Sequence, residues 1–231
     1  LTATTCPSDY LYRIVGVFEN EVKLIKYDYA TTTFLGSYGS HNSLISTSNY
    51  NNYKGKLNAF DSFEWSSVSN NTWSASDLNT VNLNNYYIDK IGSTWNNKIS
   101  NHTWFVGGNS TSDATSKEFY STERSRQTWE GKIGLMYVSD YRFATSPSAW
   151  TTNMSSYNNL VSYNWMYMGI TDWTIIRSFN GTINAFAVND NGNVAEHGVH
   201  GGGGVRPCFY LTSSIKYVSG SGTSTDPIRI N

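Results

Sequence analysis

Catalysis needs titratable or nucleophilic side chains brought to one place, and this chain offers few groups at telling spacings. Its histidines are His41, His102, His197 and His200. His197 and His200 stand three residues apart, which on a helix would aim both at one metal ion. They fall instead in a glycine-rich stretch that reads as strand and loop, so a metal site is not expected. HExxH, GxSxG, P-loop and GxGxxG signatures are all missing from the sequence. The acids Asp89, Asp140, Asp172, Asp190, Glu118 and Glu196 show no spacing that marks a catalytic pair, and solvation at the surface is the simpler reading. Arg206 precedes Pro207 inside a strand otherwise suited to a core. A buried arginine there needs a carboxylate or several carbonyls, and an anchoring role is expected. The reading is therefore not an enzyme, with no cofactor and no metal.

Binding chemistry is better represented. Between Trp173 and Arg206, framework residues are interleaved with Phe179, Asn180, Thr182, Asn184, Asn189, Asn193, Glu196, His197 and His200. Aromatic and adaptable polar side chains on a strand framework are what a recognition surface uses. With Tyr167 and Trp173 they form the expected contact face. Gly201, Gly202, Gly203 and Gly204 are expected to leave a shallow or flexible patch.

Composition supports this direction. The 231 residues carry 14% charged side chains and a net charge of -1, which gives no electrostatic case for nucleic acid or a membrane surface. Polarity comes instead from 26 Asn, 31 Ser and 24 Thr, beside 15% aromatic residues, a palette that disordered chains do not have. Two cysteines, Cys6 and Cys208, stand near the two ends. A bridge between them would imply an oxidising compartment; two unrelated thiols are the other reading. No run is apolar enough to span a membrane. The chain does not open with methionine, and any export signal or anchor is expected upstream.

The elements that must position these residues are short. Residues 10–29 alternate as a hairpin turning at Glu19-Asn20. Residues 30–60 read as loop with strand pieces. Residues 76–91 show helical spacing behind a Ser76-Asp77 cap, with Gly92 ending or bending the helix and a second short helix after it. A strand is expected at 103–107, a turn of helix near 121–126, and a central strand at 132–140. Further strands follow at 165–169, 173–178, 183–188, 194–199 and 205–211, with Asn189-Asp190-Asn191-Gly192 as a hairpin turn. A closing hairpin spans 215–230. Without repeat or linker, residues 1–231 read as a single α+β domain.

The stretches WTIIRS, FAVNDNGNVAEHGV and GVRPCFYL, with SGSGTSTDPIRI at the end and KIGLMYVSDYRFATSPSAW in the middle, resemble C-type-lectin-like domains of bacterial surface proteins. The similarity lies with the formylglycine-generating-enzyme-like branch. It implies two helices, a central antiparallel sheet, long loops and adjacent N- and C-terminal strands. It also implies a binding face in the segment that diversity-generating retroelements vary in related proteins. The calcium-site triplets of sugar-binding lectins are absent, Trp95-Asn96-Asn97 being only a near miss. Cys208 stands alone late in the chain, without the cysteine pair of the oxidase. The resemblance therefore implies an adhesin-like or pilin-tip-like ligand-binding domain, secreted or at the cell surface. Its partner would be a protein or glycan on another cell or surface, and membrane or pilus attachment would come only through an upstream segment. A structural pilus or surface-layer subunit is the alternative.

Overall fold

The computed structural model describes residues 8–41, 45–46, 52–57, 59–223 and 225–231. Its strands are β1 (Tyr12–Phe18), β2 (Glu21–Lys26), β3 (Ile45–Ser46), β4 (Ala59–Phe60), β5 (His102–Phe105), β6 (Gly108–Asn109) and β7 (Thr128–Gly131). They continue as β8 (Ile133–Gly134), β9 (Asp172–Ser178), β10 (Asn184–Val188), β11 (Val194–Gly198), β12 (Cys208–Leu211), β13 (Tyr217–Ser219) and β14 (Arg229–Ile230). Helical segments interrupt them, so the chain is α+β, with more helical pieces than the two expected.

Two four-stranded sheets organise the molecule, in the orders β1-β2-β12-β8 and β11-β10-β9-β6. The first grows from the N-terminal hairpin. Glu19 and Asn20 both take positive φ, 49° and 69°, the geometry that lets a two-residue turn follow the twist of its strands. β12 then pairs antiparallel with β2, Cys208 facing Ile25 and Leu211 facing Val22. The N-terminal hairpin thus meets a late strand, whereas the last strand, β14, pairs with β13. The second sheet is a meander, β9-β10-β11, closed at Asn189–Gly192 where Gly192 has φ 88°. β6 adds to its edge parallel to β9.

The core between these sheets is aromatic. Trp65, Trp73, Trp104 and Trp173 are all buried. Trp65 meets Trp73 edge-on at 5.4 Å, the arrangement ring quadrupoles favour.

Helical spacing at 76–91 is realised, but wound wide. Leu78–Tyr87 is a π-helix and Ile88–Lys90 continues as α-helix. Ser76 Oγ accepts the Asn79 N–H at 3.2 Å, satisfying one of the free donors of the first turn. The wide winding turns asparagines inward. Asn82 donates to the carbonyls of Leu35 and Tyr38. Asn84 exchanges two bonds with the backbone of Ile133 and so extends the end of β8. Gly92, at φ 80°, separates this helix from Gly92–Asn96.

The expected strand at 132–140 is corrected: β8 covers only Ile133–Gly134, and Val138–Phe143 is a helix. Asp140 decides this. Its Oδ2 accepts the Tyr137 N–H at 2.8 Å and caps the helix, while the same oxygen holds the buried Lys23 ammonium. The expected strand at 165–169 is a turn, with Asn164 Oδ1 accepting the Met166 N–H. The helix expected near 121–126 runs from Ser116 to Glu123, started by a Thr115–Glu118 capping box.

Gly203 and Gly204 are corrected as well. They are buried anchors rather than a loose patch. Gly203 exchanges both backbone bonds with Phe63, and a Cβ there would lie 2.7 Å from the Trp173 indole nitrogen. Gly201 and Gly202 are exposed, as is Gly198.

Candidate functional site

The sheet β11-β10-β9-β6, with the turns that join its strands, carries most of the expected contact residues, but alternation along the strands divides those on them. Trp173, expected at the surface, is 1% exposed, because its indole N–H reaches the Phe63 carbonyl at 2.7 Å. Tyr167 is 3% exposed, its hydroxyl on the Asp190 carbonyl. Trp173 presents no surface to a partner, and Tyr167 contributes only to the wall of a shallow cleft beside Lys54. His197 is half-buried, edge-on to Trp173, with Nε2 2.5 Å from Asn189 Oδ1. Burial lowers its pKa below the ordinary histidine value, against the pull of Asp190, so at neutral pH the ring is uncharged and Nε2–H donates. His200 lies apart, exposed, with Nε2 3.3 Å from Ser69 Oγ. The two histidines therefore serve different partners. Among the described residues no group of three His, Cys, Asp or Glu is placed to hold a metal ion.

What gathers is the tip between β9 and β10. Phe179 is half-exposed, and Arg126 and Arg177 place their guanidinium carbons 4.8 Å and 5.0 Å from its ring centre. Asn180 donates to the Ser110 carbonyl and, at 3.0 Å, to Glu196 Oε1. Thr182 is exposed beside them, and Asn184 half-buried.

The tip is held rigidly. The Nδ2 of buried Asn71 lies 2.8, 2.9 and 2.7 Å from the carbonyls of Ser178, Gly181 and Asn184. Phe179 N–H donates to the Asn109 carbonyl at 2.8 Å. At Gly108 the strands approach so closely that a Cβ would stand 2.5 Å from the Arg177 carbonyl oxygen. An aromatic ring in contact with two guanidinium groups, on a pre-ordered turn, is the composition of an interaction hot spot. Arg126 was not legible as a site residue, since 53 positions separate it from Phe179, and Arg177, two residues before Phe179, read as part of the strand framework. Asn189 and Asn193 sit at the opposite, β10–β11 end of the sheet, both half-buried.

Several charged groups away from the tip are internal. Arg206 finds the partners that burial requires: Nε donates to Asp172 Oδ2 at 2.6 Å and Nη2 to the Met166 carbonyl at 2.8 Å. Burial pushes Asp172 up to about 6 although Arg206 holds it down, so the pair is ionised at neutral pH. Glu123, buried against Ser139, is raised by its burial to about 7. Cys208 is a buried free thiol that burial pushes far up, unsuited to nucleophilic work. Its suggested partner Cys6 lies outside the described residues.

No helix among the described residues is long and apolar enough to cross a membrane. Comparison of the chain with protein-family models, with curated proteins and with solved structures finds no match.

Proposed function

We propose that this chain is a ligand-recognition domain, secreted or displayed at a cell surface, with a C-type-lectin-like arrangement of its α+β elements. The observation that carries the reading is the β9–β10 tip: Phe179 in contact with Arg126 and Arg177, beside the Asn180–Glu196 bond, on a turn fixed by Asn71. Such a patch offers area, charge and hydrogen bonds with little ordering cost on binding. The pairing of the N-terminal hairpin with β12 supports the finer fold assignment. Openness at Gly198, where an added Cβ would meet nothing within 4 Å, supports a segment that tolerates varied side chains. The ligand in this reading is a protein or glycan of another surface.

The test is a screen of glycan and surface-protein arrays with the intact chain and with the variant Phe179→Ala/Asn180→Ala/Arg126→Ala. These positions are exposed or half-exposed, so the variant is expected to keep the fold. A ligand held by the native chain and lost by at least tenfold in the variant supports recognition at this tip. Equal binding by both moves the site elsewhere. Absence of any ligand, together with concentration-dependent self-assembly, favours a structural subunit instead.

A further inference from the structure

Toward the other end of β10, whose five residues span about 17 Å at 3.4 Å per residue, a second surface concentrates positive charge. Arg13, Lys54, Tyr163, Trp165 and Tyr167 line a shallow cleft of about 290 Å³. The Arg13 guanidinium lies over Tyr27 at 4.5 Å and Trp165 at 5.8 Å, and donates one bond to the Trp165 carbonyl at 2.5 Å. Lys54 lies over Tyr167 at 4.7 Å, with Nζ 3.3 Å from the Val161 carbonyl. Lys56 adds a third cation over Tyr27 at 5.6 Å.

None of the three forms an ion pair among the described residues. The nearest buried acid, Asp28, is occupied by the Tyr53 hydroxyl and by the backbone N–H groups of Tyr29, Lys56 and Leu57. In a chain of net charge -1, three cations held on ring faces without a carboxylate form a local excess. Partial burial, then Arg13, lowers the Lys54 pKa, so an anion entering here would relieve repulsion as well as gain contacts.

The neighbouring surface is of another kind. Thr145, Ser146, Ser148 and Thr152 line a second cleft of about 280 Å³, and Tyr163, 73% exposed, borders both. Thr145 contributes to the wall of this second cleft, with its Oγ1 turned away from solvent. The exposed Ser146 and Ser148 hydroxyls stand 2.9 Å apart, and each can take a further hydrogen bond.

We infer that the two clefts form one binding site for an acidic oligosaccharide. A ring carrying a carboxylate or sulfate lies between Arg13 and Lys54, a neutral hydroxylated ring meets the Ser/Thr cleft, and Tyr163 stands between them. The forked donors of Arg13 suit a carboxylate or sulfate. Exposed Trp165 and Tyr163 give flat faces to the C–H side of a sugar ring, and the second cleft offers hydroxyls to hydroxyls. Each cleft lies at or below the lower end of small-molecule pockets, which suits single rings rather than a folded protein surface. This site is separate from the Phe179 tip and does not depend on it.

Titration calorimetry would use a glucuronate–glucose disaccharide, glucose 6-sulfate, glucuronate, cellobiose and sodium acetate. The acidic disaccharide is expected to bind at least tenfold more tightly than cellobiose or acetate. Glucuronate and glucose 6-sulfate are expected between these limits, their ranking telling carboxylate from sulfate. Arg13→Gln/Lys54→Gln removes the preference for the acidic sugars, and Ser146→Ala/Ser148→Ala reduces the disaccharide to the level of glucuronate. The variant Phe179→Ala/Asn180→Ala binds the disaccharide unchanged, which keeps failure here distinct from failure of the tip. The inference is overturned if cellobiose matches the acidic disaccharide, if acetate does, or if the double variant, with an unchanged unfolding curve, binds as the native chain does.

Discussion

Two pairs of cations in this molecule differ only in where the fold puts them. Lys23 and Arg206 lie in the core, one on Asp140 and one on Asp172. Arg13 and Lys54 lie at the surface on aromatic rings and carbonyls, with no carboxylate among the described residues. For Lys23, burial alone would lower the pKa, yet Asp140 and the ring of Tyr137 at 4.0 Å outweigh it and the ammonium is held above its ordinary value. For Lys54 nothing compensates, and the shift is downward. The lesson is that a cation with a pre-placed anion is part of the scaffold, whereas one without is available to a ligand.

The largest expected effect breaks an internal pair. Arg206→Met leaves Asp172 buried beside an orphaned acceptor and should cost about 3–5 kcal/mol in urea unfolding at pH 8. The loss should shrink at pH 5, where Asp172 takes up a proton. A comparable loss in Arg13→Met would abolish the distinction between the two pairs.

Glu123 sharpens the comparison, being an internal acid whose burial outweighs its partners. Its folded pKa of about 7 stands above the ordinary 4.5. The folded state therefore keeps a proton that the unfolded chain releases. Its stabilising contribution is complete below about pH 4.5 and lost as pH rises through 7. Glu123→Gln stays neutral, so its unfolding free energy should equal the native value near pH 4. By pH 8 it should exceed it by up to about 3 kcal/mol, at about 1.36 kcal/mol per unit. A gain independent of pH would show that charge is not the cause.

Gly203→Ala tests the anchor between the sheets. Its Cβ must displace the Trp173 indole, and overpacking of this kind costs about 1–3 kcal/mol. The same change at Gly198 should be within about 0.5 kcal/mol, since nothing stands there. The smallest effect belongs to the exposed cations: Arg13→Gln/Lys54→Gln should move the unfolding free energy by no more than about 0.5 kcal/mol. A larger loss would make these residues scaffold.

Much of the framework was legible because its signals are local. Asn20 and Gly192 are residue types that accept positive φ, which marks the two hairpin turns, and the strands beside them follow. Burial of Arg206 beside Pro207, and its need for a carboxylate, was readable from an apolar strand context, though not that Asp172 would supply it. The apolar run at 132–140 misled, because Asp140 is at once a helix cap and the partner of Lys23, a residue 117 positions away. Trp173 and Tyr167 read as contact residues because aromatic side chains suit interfaces and cores alike. Only the nearby carbonyls of Phe63 and Asp190 drew them inward.

What the amino-acid sequence determined by itself is the α+β class, the two hairpin turns and a polar, aromatic surface of low charge, since each follows from residue type and short-range period. Which polar groups face inward, which cations find an anion, and which aromatic rings remain outside was decided by the tertiary structure. Those outcomes depend on side chains that meet across tens or hundreds of residues, where no local spacing records the encounter.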